Sequence, residues 1–370
     1  MENGKRVLIV GCGIGGATAA YALARKGFEV DCIEAKPERP QAGAGICLLS
    51  NSMRALGEIG LAEPCYESGL GFEVFRQFDS AGRLLATLPA PPSCGIRRSE
   101  LARILETAAE QAGVNLTRGT SVETLKDCGD AVEVTFKDGR EKTYDLVVAA
   151  DGVYSSLRQS VFGSEFAPKF AGQSGWRFSA PRPAEVDGFC LFRTDTGSIV
   201  GSFPTSKETC YLFFLDNSKE PFRIPEDRAD QLMRERLSNF TAPFITESVK
   251  YITDPQQIIF RPLDITLVPA PWHRGRVVLL GDSAHAPTPQ MTSGGGMAIE
   301  DALVLTDSLD ESRAIEEALH KYSARRFDRV KTIFDASLQL SLNEQQDPLG
   351  NRDKSAALLM KTYKFLDQPW

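Results

Sequence analysis

The chain has 370 residues, of which 42% are hydrophobic and 25% are charged, a composition typical of a globular protein with a large core. Its formal net charge of −7 argues against sequence-independent nucleic-acid binding, which requires a cationic surface. Eight cysteines without a C-x-x-C pair and only three histidines exclude zinc-site spacing, so no metal is expected. The scattered cysteines favour a reducing, cytoplasmic location.

The first predicted element is a βαβ unit. Arg6–Val10 is predicted as a buried strand, residues 15–27 as a helix and Phe28–Ile33 as a second strand. An alternative is a secretory signal peptide, because Lys5 precedes an apolar run and residues 20–22 resemble a cleavage site. The glycine-rich turn and the acidic residue after the second strand favour the folded unit. No other stretch approaches the ~20 apolar residues of a membrane span, so no membrane association is expected.

The remaining elements indicate two kinds of structure. Between residues 166 and 270, aromatic segments separated by Pro, Gly and Asn predict a twisted antiparallel sheet. Elsewhere the pattern alternates between helices and buried strands. Predicted helices cover 51–62, 98–112, 296–340 and 353–366; predicted strands cover 145–150 and 276–280, and a hairpin turns at Asp138-Gly139.

A dinucleotide-binding fingerprint, Gly11-Cys12-Gly13-Ile14-Gly15-Gly16, follows the first strand. In such a turn, Gly11 permits the tight bend, Gly13 lets the backbone approach a pyrophosphate and Gly16 allows close packing of the helix. Glu34 lies 23 residues after Gly11, where a carboxylate can accept a hydrogen bond from a ribose hydroxyl. This carboxylate disfavours a 2′-phosphate, so FAD or NAD fits this site better than NADP.

Two later turns carry an acid where a buried strand ends. They are Asp151, followed by Gly152, and Asp282, preceded by Gly281. Each carboxylate could hold a ribityl hydroxyl, but taken singly each more often orders its own turn. The run 294–296, Gly294-Gly295-Gly296, precedes a helix and offers bare backbone N–H groups as a second cradle.

In their order along nearly the whole chain, these motifs resemble the single-component flavoprotein monooxygenases of the para-hydroxybenzoate hydroxylase type, and most of all their salicylate hydroxylase-like branch. Many relatives carry Gly-Gln-Gly and then Asn beside the flavin, where this chain has Thr292-Ser293-Gly294 and Gly296. The side-chain contacts to the flavin ring edges therefore stay open. The resemblance implies FAD-binding roles for Gly11, Gly13, Ile14, Gly15, Gly16, Glu34, Arg98 (in Arg98-Ser99-Glu100-Leu101), Asp151, Asp282, Gly294, Gly295 and Gly296.

The resemblance also implies an α/β fold. We expect a Rossmann-like FAD-binding domain, an inserted and mostly antiparallel β-sheet substrate domain, and C-terminal helices. NADH or NADPH is expected as a transient hydride donor, and O2 as the co-substrate that forms a flavin C4a-hydroperoxide to hydroxylate a small aromatic substrate. The predicted ranges are 1–70, 95–165 and 271–340 for the FAD-binding domain, 71–94 and 166–270 for the substrate domain, and 341–370 for the C-terminal segment.

The inserted sheet is expected to cover the substrate. Arg177 or Arg193 could pair with a substrate carboxylate, and Tyr211 could activate a phenol, with surface salt bridges and core packing as the alternatives. Candidate catalytic residues are Arg193, Tyr211 and Pro289, and candidate substrate residues are Arg177, Phe192, Phe203 and Phe213, with Trp176 beside them. Other flavin oxidoreductases, a monooxygenase of a polycyclic antibiotic-like compound and a catalytically silent flavin-binding protein stay open, as do monomer and homodimer.

Overall fold

The computed structural model describes residues 4–39 and 44–370. Numbered in chain order, its helices are α1 (Ile14–Arg25), α2 (Ser50–Glu58), α3 (Ala62–Ser68), α4 (Arg98–Gln111), α5 (Ser156–Phe162), α6 (Ala229–Leu237), α7 (Pro243–Val249), α8 (Gly294–Glu311), α9 (Ile315–Gln346) and α10 (Arg352–Leu366). In the part of the chain that the structure describes, no helix combines the length and apolar character needed to cross a membrane.

The strands form three sheets. In chain order they are β1 (Arg6–Val10), β2 (Glu29–Glu34), β3 (Gly45–Leu48), β4 (Leu70–Asp79), β5 (Leu84–Arg97), β6 (Asn115–Arg118), β7 (Val122–Asp127), β8 (Val132–Phe136), β9 (Glu141–Tyr144), β10 (Leu146–Ala149), β11 (Lys169–Pro181), β12 (Phe189–Arg193), β13 (Ile199–Pro204), β14 (Thr209–Asn217), β15 (Ile259–Leu267), β16 (His273–Arg274), β17 (Val277–Leu279) and β18 (His285–Ala286).

The first sheet has the strand order β16-β17-β10-β1-β2-β6, and its last five strands run parallel. Its central strands are continuous apolar runs because helices cover both faces of a parallel sheet. Leu8 and Ile9 of β1 and Val147 and Val148 of β10 are fully buried. The alanine-rich helix α1 connects β1 to β2 and packs against α8. The predicted Rossmann-like fold is confirmed.

The second sheet has nine strands in the order β18-β15-β11-β14-β13-β12-β4-β5-β3. All neighbours are antiparallel except β12 and β4. One face packs against α6 and α7 around a core that includes Trp176, Phe214 and Met233. Side chains alternate along a strand, so the residues next to Trp176 and Phe214 in sequence point to the other face of the sheet. The core on that face includes residues of β3.

One predicted helix differs from the structure, and two elements connect segments that were assigned to different domains. The predicted helix 51–62 is two helices, because Gly60 adopts a positive φ of 77° between α2 and α3. Strand β3, inside the segment 1–70, pairs with β5 of the nine-stranded sheet. Helix α9 continues to Gln346 and crosses the expected boundary at residue 341. The predicted hairpin at Asp138-Gly139 joins β8 to β9 and is confirmed.

Candidate flavin and substrate site

The structure brings the three predicted turns together at one edge of the parallel sheet. A side chain at Gly11 would lie 2.4 Å from the carbonyl oxygen of Ala150 and 3.0 Å from the Cα of Asp151. On the other side, Ser283 Oγ donates a hydrogen bond of 2.5 Å to the Ala149 carbonyl. This convergence follows from the fold, because the carboxyl ends of neighbouring parallel strands meet at one edge.

The glycines of the fingerprint turn and of the start of α8 divide into two groups. Side chains at Gly13 and Gly294 would meet nothing closer than 3.7 Å, so these two positions face open space. The others are required for close packing, as at Gly16, where a Cβ would lie 1.9 Å from the Gly11 carbonyl oxygen. The packed group consists of Gly11, Gly15, Gly16, Gly295 and Gly296, the fourth lying beside Ile46 and Ile14.

The Glu34 carboxylate is fixed at the end of β2. Its Oε2 accepts a hydrogen bond from the Cys12 backbone N–H at 3.0 Å, and its Oε1 accepts one from Lys36 N–H at 3.0 Å. Both bonds leave lone pairs on the carboxylate oxygens. Glu34 is therefore oriented beside the fingerprint turn, with acceptor capacity for a hydroxyl.

Asp282 and Arg98 lie in a cavity that is open to solvent. Both side chains are accessible to solvent, although many protein atoms surround them. Burial raises the pKa of Asp282, and the charges of His285 and Arg98 act in the opposite direction. A side chain at Gly294 would lie 3.9 Å from Asp282 Oδ1, so this carboxylate stands at the N-terminus of α8.

A buried ionic network supports this turn from behind. Asp301 Oδ2 lies 2.6 Å from His285 Nε2 and accepts a 3.1 Å hydrogen bond from the Gly281 N–H. Arg326 Nε donates to Asp301 Oδ1 at 2.7 Å, and Arg326 Nη1 donates to Glu300 Oε2 at 2.7 Å. Burial alone would raise the pKa of Asp301, but the charges of His285 and Arg326 hold it below its ordinary value. The network ties α8 and α9 to the Asp282 turn, and His285 is a structural residue within it.

Asp151 orders its own turn. Its carboxylate accepts hydrogen bonds from Ser155 Oγ at 2.5 Å and from the Leu157 N–H at 3.2 Å. Ser155 in turn caps α5 by accepting from the Arg158 N–H. The turn-forming alternative therefore describes Asp151, while its position beside Gly11 keeps it at the edge of the site.

These residues fit FAD. The N-cap of α1 is Gly13, which has no side chain to bond the free first-turn N–H groups, and those groups can bind a diphosphate. Glu34 supplies an acceptor for a ribose, and the cavity-facing Asp282 supplies one for a polyol chain. The N-cap of α8, Ser293, makes no side-chain capping bond, so a second uncapped helix end adjoins Asp282. Donors and acceptors thus follow the chemistry of an extended flavin nucleotide.

The substrate candidates divide between the two faces of the nine-stranded sheet. Arg177 lies opposite Phe213 on one neighbouring strand and opposite Ile259 on the other. The ring of Tyr211 lies 5.0 Å from that of Phe203 and 5.8 Å from that of Phe213, between ring centroids. Burial raises the pKa of Tyr211, and the charges of Arg177 and Arg98 oppose this rise. The face that carries Arg177 therefore combines an aromatic wall with positive charge.

Phe192 and Trp176, which were expected near substrate, lie on the face of the sheet opposite Arg177. Phe192 stacks on Phe78 with 4.8 Å between ring centroids and contacts Phe244 on the opposite face of the sheet. Trp176 is fully buried in the same core. A strand position reveals that neighbours alternate, but it does not reveal which face borders the cavity.

Arg193 and Pro289 are the other two candidate catalytic residues. The Arg193 side chain extends toward the end of α9 and the start of α10, where the nearby charges are Glu344 and Arg352. Pro289 is exposed and begins the short turn Pro289–Met291 that precedes α8. The charged neighbours of Arg193 are therefore those of α9 and α10, and Pro289 lies at the glycine-rich helix start. The catalytic role of each residue stays a prediction.

A polar cluster at this turn was not predicted from the sequence. Gln290 Nε2 donates to Gln173 Oε1 at 2.8 Å and to Glu344 Oε2 at 2.9 Å. Ser341 Oγ donates to Gln173 Oε1 at 2.6 Å. Burial raises the pKa of Glu344, although hydrogen bonds from Gln290 and Gln173 and the charge of Arg193 oppose the rise. The only signal in the sequence is that residues 337, 341 and 344 share one face of a helix.

Comparison with known proteins identifies the family. Residues 5–337 match the FAD binding domain family. The chain is 31% identical over 342 residues to the FAD-dependent urate hydroxylase of Klebsiella pneumoniae, covering 89% of this chain and 87% of that one. It is 31% identical over 350 residues to the aurachin C monooxygenase/isomerase of Stigmatella aurantiaca, covering 92% and 90%.

Among solved structures, Klebsiella pneumoniae HpxO complexed with FAD and uric acid is 26% identical, with a TM-score of 0.85 over 98% of this chain and 95% of that one. The likeness extends over all three sheets and the C-terminal helices, because almost the whole of each chain is covered. The resemblance stated from the sequence motifs is thereby confirmed, and FAD is the cofactor. The chain belongs to the FAD binding domain family and is a single-component, FAD-dependent monooxygenase.

Proposed function

We propose that this monooxygenase hydroxylates a small, flat aromatic or heterocyclic substrate that carries a negative charge, with NADH or NADPH as the transient hydride donor and O2 as the oxidant. The observation that carries the proposal is the position of Arg177 between Phe213 and Ile259, on the face of the sheet that also carries Tyr211. A guanidinium there can pair bidentately with a carboxylate or enolate, while the neighbouring ring offers its face to a flat substrate.

The charge balance around this face supports an anionic substrate. Arg98 and Arg177 act on Tyr211 as neighbouring positive charges, and Asp282 is the nearby carboxylate that acts on Arg98. Two guanidinium groups against one acid leave an excess of positive charge. A bound anion would neutralise it, because low-dielectric surroundings strengthen such pairing.

Tyr211 supports recognition of an oxygen substituent. Because burial raises the pKa of its phenol, this group keeps its proton at neutral pH. It can therefore donate a hydrogen bond to a substrate oxygen while the phenol itself stays neutral. The neighbouring rings of Phe203 and Phe213 exclude water around that bond.

When bound, FAD supplies hydride acceptance and oxygen activation, the chemistry that no side chain provides. The protein's own groups bind and orient. The fingerprint turn and Glu34 would hold the adenosine diphosphate half of the cofactor. Asp282, Arg98 and the uncapped start of α8 would hold the flavin half. The aromatic wall would place the substrate ring and keep water away from it.

The similar proteins support a flat, polar ring system as substrate. The Klebsiella relative is named a urate hydroxylase, and the HpxO structure contains uric acid. Uric acid is a planar heterocycle whose oxygens and ring nitrogens can carry negative charge. In this proposal, the choice among such compounds depends on the residues of the sheet face rather than on the flavin-binding turns.

The test is a substrate screen with the purified flavoprotein. Aromatic and N-heterocyclic acids and phenols would be compared with their neutral esters and amides for acceleration of NADH and NADPH consumption, and products checked by mass for a gain of one oxygen. Arg177→Met is expected to raise KM for the anionic compounds by about 10- to 100-fold, the loss of a charged hydrogen bond. Arg223→Met, at an exposed position, is the control. Equal turnover of neutral and anionic compounds, or no oxygenated product, would contradict the proposal.

A further inference from the structure

Gln290 and Glu344 meet where the turn before α8 touches the end of α9. Gln290 follows Pro289, and its amide nitrogen donates to Glu344 Oε2 at 2.9 Å and to Gln173 Oε1 at 2.8 Å. Gln173 and Arg177 lie on the same face of β11. They are four residues apart, which is about 13 Å along an extended strand. The cluster therefore forms a second polar end of the face proposed for substrate.

The hydrogen bonding of this pair is incomplete in one specific way. Both hydrogens of the Gln290 amide are used, while its Oε1 is buried and has no partner among the described residues. All hydrogen bonds from described residues to the Glu344 carboxyl end on Oε2, including a longer one from Gln173 Nε2 at 3.4 Å. A buried carbonyl oxygen without a donor is unfavourable. A donor on Glu344 Oε1 would satisfy it.

We propose that Glu344 carries a proton in the working enzyme, and that this proton is donated to Gln290 Oε1. The two side chains then form a closed acid–amide ring, with one bond from the amide N–H to Oε2 and one from the acid O–H back to the amide oxygen. Glu344 is thus a positioning residue, which fixes the Pro289–Gln290 turn at the glycine-rich start of α8. This proposal depends on the proposed function in one respect only, the assumption that substrate binds beside this turn.

The surroundings of Glu344 favour the protonated form. Burial raises its pKa, and the charged side chain that opposes the rise is Arg193 from β12. The pKa of Arg193 is itself lowered by burial and by the charge of Arg352 from α10. The remaining contacts, Gln173 from β11 and Gln290 from the turn, are neutral amides. The burial that raises the pKa of Glu344 is thus opposed by only one charged side chain among its neighbours, a guanidinium that is itself partly desolvated.

The ring predicts a pH dependence. Loss of the Glu344 proton would place a carboxylate oxygen beside the Gln290 carbonyl oxygen, and their repulsion would release the turn. Activity should therefore fall on the alkaline side. Glu344→Gln reproduces the protonated acid, because its amide N–H can donate to Gln290 Oε1 while its oxygen accepts from Gln290 Nε2.

The experiment compares kcat and kcat/KM against pH for the FAD-loaded wild type, Glu344→Gln and the control Asp335→Asn, an exposed position on the same helix paired with Lys331. Glu344→Gln should retain wild-type activity at the acidic end and lose the alkaline decline, whereas the control should follow the wild type. A loss of 10-fold or more at every pH would show that the carboxylate form is required. A profile superimposed on the wild type, or a variant that fails to fold, would also overturn the proposal.

Thermal stability of the FAD-loaded protein gives a readout that needs no substrate. A carboxyl with a raised folded-state pKa contributes stability fully below its unfolded pKa of about 4.3, and this contribution is lost as pH rises through the folded pKa. The Tm of Glu344→Gln relative to wild type should therefore increase with pH, and parallel curves would contradict the ring. Were the curves to diverge as expected in a protein that hydroxylates none of the screened compounds, the ring would stand and the proposed function would fail.

Discussion

His285 and Asp301 lie 2.6 Å apart, Nε2 to Oδ2, in the interior directly behind the turn that carries Asp282. The same carboxylate accepts from the Gly281 N–H and from Arg326. One acid therefore holds a backbone turn, an imidazole and a guanidinium at once. Its position after the glycine run makes α8 the support for one end of the flavin site.

Replacing Asp301 by Ala should destabilise the fold strongly. Arg326, which is fully buried, and His285 would lose their shared partner, and breaking such a buried pair costs about 3–5 kcal/mol. Denaturant unfolding should show this loss, and FAD titration should show weaker binding because the Asp282 turn is released. Asp310→Asn, which breaks an exposed pair with Lys26, should change stability by about 1 kcal/mol or less. Equal effects of the two variants would contradict the supporting role.

Gly13 and Gly16 should give opposite phenotypes when changed to Ala. At Gly13 the added methyl group enters open space, so the protein should fold normally and bind FAD at least 10-fold more weakly, about 1.4 kcal/mol. At Gly16 it would meet the Gly11 carbonyl oxygen at 1.9 Å, so the fold itself should suffer. Thermal unfolding of the apoprotein and fluorescence titration with FAD separate these effects. Unchanged FAD affinity in Gly13→Ala would exclude this turn as the pyrophosphate site.

Asp282→Asn should stabilise the apoprotein while weakening FAD binding. Because burial raises the pKa of Asp282, its stabilising contribution is complete below the unfolded pKa of about 3.9 and is lost as pH rises through the folded pKa. Asn does not undergo this loss, so the Tm difference between variant and wild type should grow with pH. The measurement is apoprotein Tm across pH, with FAD titration alongside. A constant Tm difference, or unchanged FAD affinity, would reject a cavity-facing acid at this position.

Phe213 and Phe214 form a matched pair, because adjacent residues of β14 point to opposite faces. Phe214 is stacked on Trp176 at 5.6 Å in the core, so Phe214→Ala should lower the free energy of unfolding by about 3–5 kcal/mol. Phe213, whose ring covers Gly201, is only partly buried, so Phe213→Ala should lower kcat/KM with a smaller loss of stability. Denaturant unfolding and steady-state kinetics distinguish the two. The reverse pattern would place the substrate on the other face.

The flavin-binding half of the molecule is predictable because its determinants are local. The fingerprint needs only a strand, a turn and a helix in sequence, and parallel pairing then brings the Asp282 turn to the same edge. The role of each acid is less visible. Asp151 and Asp282 have the same local pattern, yet one bonds Ser155 and the other faces the cavity. Only the tertiary surroundings separate the two.

The substrate half is less predictable because its determinants are distant. Phe192 and Phe203 are both aromatic strand residues, and nothing in the local pattern assigns them to opposite faces. Gln290 and Glu344 are brought together by the packing of α9 against the turn, and the periodicity of the sequence does not predict this contact. Glu300 and Asp301 are an exception, because two consecutive acids in an apolar helix require buried partners. Their sequence therefore indicates a buried cation, and the structure shows that this cation is Arg326.

Helix α9 connects these two halves in a single continuous piece. Arg326 and Arg329 bind the acids of α8, and Ser337, Ser341 and Glu344 contact the turn and sheet. Within each group, the residues are spaced by three or four positions. Inserting one residue between the two groups would rotate one by about 100° relative to the other. During divergence, this stretch can therefore change length only by nearly integral numbers of helical turns, while the loops around the sheet are free to vary.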